Sequence, residues 1–225
     1  MINHSAIQVR LDLPKVYPIT DTRCSGLSHA EQVARLIEGG ASVIQLRDKH
    51  APPREFYREA AAALKVARDH HVGLIINDRV DIALALKADG VHLGQTDMPA
   101  EAARRLLGQA AIIGFSTHNL EQAKLAMGLP IDYLAFGPVF PTSSKENPDP
   151  ITGLEALREI SALKGSMPLV GIGGITLGTA VAVLRAGADA VALIADLVAD
   201  SSRIATNMSK ILTLTALTAN NSSSS

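Results

Sequence analysis

Short apolar runs alternate with longer amphipathic stretches along almost the whole chain, and that rhythm restricts the fold more than any other feature. The runs fall at residues 16–20, 43–46, 74–76, 90–93, 111–114, 133–136, 169–172 and 190–194. They are apolar at successive positions, as parallel strands covered on both faces require. Between them, apolar residues recur at helical spacing over 29–38, 54–70, 80–87, 100–107, 120–127, 153–163 and 177–185, with a last helix over about 197–212. Eight strands each followed by a helix predict a single-domain α/β fold, a TIM-type (β/α)8 barrel. The rival, an open doubly wound sheet, carries a glycine fingerprint after its first strand. Here Asp21-Thr22-Arg23 follows the first run.

Four segments echo one another: GASVIQL (40–46), ADGVHLG (88–94), IDYLAFG (131–137) and ADAVALI (188–194). They fall on strands two, four, six and eight, each entered through a small residue or an Asp turn. On this reading residues 1–15 are an N-terminal extension, 16–213 the barrel catalytic domain, and 214–225, ending in NNSSSS, a disordered tail.

At 225 residues and 47% hydrophobic content the chain can bury a full barrel core. Lys and Arg (21) nearly balance Asp and Glu (22), giving a net charge of -1. With no basic run, 3% aromatics and no Trp, a nucleic-acid surface is not expected. No apolar run approaches the ~18 residues that would span a bilayer, so no membrane association is expected either. The N-terminal stretch lacks an apolar signal core, which makes the cytoplasm the expected location. One cysteine, Cys24, excludes an internal disulfide framework and reads as a spectator thiol. Self-association is left open.

A barrel places its chemistry at the C-terminal ends of its strands. Strand two ends in QLRDK, where alternation puts Gln45, Arg47 and Lys49 on one side. An amide and two cations suit a polyanion, or form a merely solvated exit. Strand three delivers Asn77 and Asp78, and strand four Asp97. Two carboxylates facing one site suggest Mg2+; alternatively Asp78 caps the next helix and Asp97 starts a turn before Pro99. Strand five ends in Ser116-Thr117-His118. Strand six leads into GPVFPTSSK (137–145), with hydroxyls at Thr142 and Ser144 and a cation at Lys145. Strand seven ends in GIGGI (171–175), whose glycines let backbone N–H groups approach an anion. His92, inside strand four, reads as a packed core histidine, and Asp132 and Asp189 as structural residues of the opposite face. The sum is two anion sites, with a metal beside one, which suits a group transfer that expels diphosphate.

These motifs resemble one family. YPITD (17–21), QLRDK (45–49), INDRVDIAL (76–84), ADGVHLGQTD (88–97), IGFSTH (113–118), DYLAFGPVFPTSSK (132–145) and GIGGI (171–175) are similar, in this order, to the thiamine-phosphate synthase (thiamine-phosphate pyrophosphorylase) family. The resemblance implies a (β/α)8 barrel that joins 4-amino-2-methyl-5-(diphosphooxymethyl)pyrimidine to 4-methyl-5-(2-phosphooxyethyl)thiazole, giving thiamine phosphate and diphosphate. It implies that Gln45, Arg47, Lys49, Asn77, Ser116 and Lys145 contact the pyrimidine diphosphate, with Arg47, Lys49, Ser116 and Lys145 as the catalytic set. Asp78 and Asp97 would hold Mg2+. Thr142 and Ser144 would bind the thiazole phosphate, with backbone around Gly174 and at Ile194 and Ala195. Two positions depart from the family. Ser144 stands where Thr is frequent and keeps the hydroxyl. Ala195 stands where Ser is frequent, which is harmless if the contact there is a backbone N–H. The alternatives are a thiazole tautomerase-like isomerase, with His118 moving the proton, and a non-catalytic regulatory homologue. The retained aspartates and cations argue against both.

Overall fold

The computed structural model describes residues 13–142 and 149–219. Eight strands close into one parallel barrel in sequence order. They are β1 Val16–Thr20, β2 Val43–Leu46, β3 Gly73–Asn77, β4 Gly90–Leu93, β5 Ile112–Thr117, β6 Tyr133–Phe136, β7 Leu169–Gly171 and β8 Ala190–Leu193. The ring closes where β1 pairs with β8, with Tyr17 opposite Ala192. The helices are α1 Thr22–Ser25, α2 His29–Glu38, α3 Pro53–Asp69, α4 Val80–Leu86, α5 Ala100–Leu107, α6 Leu120–Ala126, α7 Gly153–Leu163, α8 Ala180–Arg185, α9 Ala195–Val198 and α10 Ile204–Ala219.

Alternation along each strand divides the core in two. Val16, Ile44, Leu46, Leu74, Ile76, Val91 and Leu93 face outward under the helices. Tyr17, Ile19, Ile75, Tyr133, Ala135, Val170, Ala190 and Ala192 fill the barrel interior. Small side chains on β6 and β8 leave room for two tyrosines. Gly114 leaves more, since a Cβ there would overlap the ring of Tyr133. The base of the barrel is therefore tight, and it is polar at the two phenol oxygens.

Three of the four echoing strands share a physical cause at the lower rim. The carboxylates of Asp89, Asp132 and Asp189, one residue before β4, β6 and β8, accept the backbone N–H of Leu74, Ile113 and Leu169, at 2.8, 2.7 and 2.8 Å. Each clasp ties an even strand to the odd strand before it. Arg104 adds to the second clasp at 2.7 Å from Asp132, and Lys164 to the third at 2.8 Å from Asp189.

Several boundaries differ from the sequence reading. β5 runs on to Thr117 because Ser116 and Thr117 pair with Ala135 and Phe136 of β6. Helix α1 was not anticipated; Asp21 caps it by accepting the N–H groups of Arg23 and Cys24. The expected last helix is three pieces: α9, a 3-10 turn at Ser201–Arg203, and α10. Asp200 causes the break by accepting both the N–H and the hydroxyl of Ser202. α10 then extends to Ala219, past the expected domain edge at 213, because apolar residues persist and Thr215 returns its hydroxyl to the Ile211 carbonyl. Among the described residues no helix is long and apolar enough to cross a membrane.

Candidate active site

A cavity of about 510 Å3 opens at the C-terminal ends of the strands. Gln45, Arg47 and Lys49 line it from the β2 exit, Asn77 and Asp78 from β3, and Asp97 from the β4 loop. Ser116 reaches it from β5, Thr142 from the β6 loop, Gly174 from β7, and Ile194 and Ala195 from β8. Residues read from sequence as one site thus converge on one cavity. Ser144 and Lys145 lie outside the described residues.

Among the described residues, the β2–β4 side carries most of the charge. Lys49 Nζ lies 2.7 Å from Asp78 Oδ2, and Arg47 is held 3.1 Å from Asp21 Oδ2. Asp78 adopts a left-handed backbone, φ 62°, a conformation that Asp tolerates better than most residues. Its N–H donates to the His92 carbonyl at 2.8 Å, and Arg79, not Asp78, occupies the helix N-cap. The capping alternative is therefore not what this backbone does. Asp97 does close a turn, taking the Gly94 N–H at 2.7 Å. The Asp78 carboxylate is its acidic neighbour in the cavity wall. Burial, reinforced by Asp78, pushes the Asp97 carboxyl above its ordinary value, against the lowering effect of the Gly94 N–H and Lys49.

Two carboxyls forced together are relieved by a proton or by a cation. Their oxygen chemistry fits Mg2+, which is held by one or two carboxylates and completes its shell with water and phosphate oxygens. Among the described residues no cluster of three or more His, Cys, Asp or Glu forms a self-sufficient metal cage. A cation held by Asp78 and Asp97 would complete its shell with water or with ligand oxygens.

The opposite side is built from backbone. Gly173 and Gly174 take φ of 91° and 65°. A Cβ on Gly173 would strike Pro138, and one on Gly174 the carbonyls of Phe140 and Pro141. Only glycine lets the β7 loop lie this close to the β6 loop. Asp196 joins the β8 loop to the β7 loop by accepting the Leu177 N–H at 2.6 Å. His118 sits at the rim, its Nδ1 2.7 Å from the Gly137 carbonyl and 3.6 Å from Asp149 Oδ2.

The barrel floor holds groups the sequence reading passed over. His92 is buried as expected, but it faces the cavity and bonds Tyr133 through Nδ1 and Ser116 through Nε2, both at 2.8 Å. Tyr17 and Tyr133 lie beneath it, their oxygens 2.9 Å apart. The signal was strand alternation: Val91 and Leu93 pack outward, so His92 must point inward. Asn77 Nδ2 is buried with no hydrogen-bond partner among the described residues, a donor left for a ligand at the cavity wall.

Comparison with known proteins agrees with this architecture. Residues 16–197 match the family described as thiamine monophosphate synthase. The thiamine-phosphate synthase of Koribacter versatilis is 44% identical over 209 residues, covering 90% of this chain and 97% of that protein. That of Roseiflexus sp. is 49% identical over 180 residues, covering 80% and 76%. A solved structure described as thiamine phosphate pyrophosphorylase from Pyrococcus furiosus superposes with a TM-score of 0.81 at 37% identity, covering 91% of this chain and 96% of that one.

Proposed function

The chain belongs to the thiamine monophosphate synthase family, and from that premise we propose that it condenses the diphosphooxymethyl pyrimidine with the phosphooxyethyl thiazole to give thiamine phosphate and diphosphate. The observation that carries this reading is the division of the cavity. Arg47, Lys49, Asp78 and Asp97 stand on adjacent strands, and the glycine backbone of the β7 loop stands across the barrel from them. One side suits a metal-bound diphosphate, the other a phosphate monoester.

In this reading Gln45 and the Asn77 amide orient the pyrimidine end. Arg47 and Lys49 bind the diphosphate, and Ser116 donates to one of its oxygens. Mg2+, held by Asp78 and Asp97, would supply Lewis-acid neutralisation of the leaving group. The methylene C–O bond breaks with its electron pair departing on diphosphate, and the thiazole nitrogen then donates its lone pair to form the C–N bond. Asn77, Ser116 and the buried floor keep water from the carbocation. Thr142, Gly174 and the backbone at Ile194 and Ala195 would hold the thiazole phosphate. Ser144 would join them, and Lys145 would join the diphosphate set, by family resemblance.

The test is incubation with both substrates and Mg2+, following diphosphate and thiamine phosphate together. Equimolar appearance of the two supports the reading. No diphosphate from the pyrimidine donor would overturn it, and conversion of a thiazole carboxylate tautomer in the same preparation would assign the site to an isomerase.

A further inference from the structure

Five side chains from five strands form one continuous line of hydrogen bonds through the barrel floor. Gln45 Nε2 donates to Tyr17 Oη at 3.2 Å. Tyr17 Oη lies 2.9 Å from Tyr133 Oη, which lies 2.8 Å from His92 Nδ1. His92 Nε2 lies 2.8 Å from Ser116 Oγ. The His92 ring stacks on Tyr133 at 5.5 Å, and the two tyrosine rings meet edge to face at 5.7 Å. The two phenols and the Gln45 amide are shut off from solvent, with residue exposures of 1%, 1% and 2%. Burial pushes the Tyr17 phenol up to about 12 and Tyr133 well above its ordinary value, so both keep their protons.

Each phenol has one proton to give, and that sets a direction. The Gln45 N–H already points at the Tyr17 oxygen, so the Tyr17 proton goes to Tyr133. The Tyr133 proton then goes to His92 Nδ1. The ring must carry its own proton on Nε2 and donate it to Ser116 Oγ. The reverse order would set the Gln45 N–H against the Tyr17 O–H, two donors facing each other in a buried site.

We propose that this line is a directional device: it fixes His92 as the Nε2–H tautomer and commits the Ser116 hydroxyl to donate its proton into the cavity. Ser116 touches the ligand. His92 is a positioning residue that acts through Ser116, and Tyr133 and Tyr17 act through His92. With His92 in the other tautomer, Ser116 would donate back to Nε2 and turn its lone pairs towards the cavity. A bound anion would then be repelled where it should be held. That the anion is a departing diphosphate rests on the proposed function; the direction of the line does not.

The tautomer is read from 15N-histidine NMR of the substrate-free protein, with the His92 resonances assigned by their absence in His92→Gln. The expected signature is a protonated Nε2 and an unprotonated Nδ1. In Tyr133→Phe the lock is removed. That variant should show mixed tautomers and a kcat about tenfold lower, with little change in KM for the pyrimidine diphosphate. Tyr17→Phe breaks the line one step earlier and should show the same mixture even if Tyr133→Phe does not fold. His92→Gln, whose amide can still donate to Ser116, should retain more activity than His92→Ala. A wild-type His92 protonated on Nδ1 would overturn the proposal, as would either phenylalanine variant with unchanged tautomer and unchanged kcat. The NMR signature needs no turnover, so a protein that released no diphosphate would refute the proposed function and leave this test standing.

Discussion

Lys49 Nζ and Asp78 Oδ2 lie 2.7 Å apart, a cation from the β2 exit paired with a carboxylate from the β3 exit across adjacent strands. The pairing holds both groups at the cavity before any ligand arrives. A cation binding between Asp78 and Asp97 would replace Lys49 as the partner of Asp78 and release the ammonium towards the diphosphate. Asp78→Ala and Asp97→Ala should each raise the Mg2+ concentration needed for half-maximal rate and slow turnover by roughly 100-fold. Circular dichroism should stay that of the parent. Parental Mg2+ dependence in either variant would reject the metal assignment.

Asp97 gives a pH dependence of known sign. Burial and Asp78 raise its folded value above the ordinary 3.8. As pH rises, the unfolded carboxyl ionises first while the folded one still holds its proton. The metal-free protein should therefore lose stability from about pH 3.8 upward, and the penalty is complete above the folded value. Asp97→Asn can still accept the Gly94 N–H and removes that penalty. Its melting temperature in EDTA should exceed the parent's at pH 7, and Mg2+ should stabilise the parent alone. A variant less stable than the parent in EDTA at pH 7 would contradict this account.

Gly174→Ala tests the backbone side of the cavity. The new methyl meets the Phe140 and Pro141 carbonyls, in a left-handed conformation that alanine resists. A loss of ~2 kcal/mol in stability is expected. The KM for the thiazole phosphate should rise about tenfold, with a smaller change for the pyrimidine substrate. Equal effects on both KM values would dissociate the loop from the thiazole phosphate.

The lower rim should behave differently. Asp132 accepts the Ile113 N–H and pairs with Arg104, which is 8% exposed and also donates to the carbonyls of Gly108, Ala111 and Pro130. Asp132→Ala leaves a buried N–H and a guanidinium short of a partner, at a cost of about 2 kcal/mol. Denaturant midpoints should fall while kcat/KM at 25 °C stays at the parental value. A matching fall in kcat/KM would mean that the rim reaches the chemistry.

The barrel was legible in the chain because its strands are short apolar runs bounded by polar ends, and that contrast survives in the residue order. Polar strand residues were harder. Ser116 and Thr117 lie beyond the apolar run at 111–114, yet their backbones complete the β5–β6 ladder. His92 looked like core because burial alone does not distinguish a packed imidazole from one aimed into a cavity. Asp200 interrupts the last helix through its own side chain, a local competition that a hydrophobic pattern does not register. The convergence of Arg47, Lys49, Asp78 and Asp97 was legible because a closed barrel sends every strand end to the same place. The pairing of Lys49 with Asp78 was not, since it depends on the left-handed turn at Asp78.

The three aspartate clasps divide the ring into β3–β4, β5–β6 and β7–β8 pairs, each fastened below by its own carboxylate. Such a chain should tolerate a change in where it starts. A circular permutant opened at the exposed Gly108–Ala110 turn cuts between two pairs and keeps every clasp. One opened between β5 and β6 asks the second clasp to form across new termini. The first should keep a denaturation midpoint nearer the parent's, so the order of strands around the ring is more durable than their order along the chain.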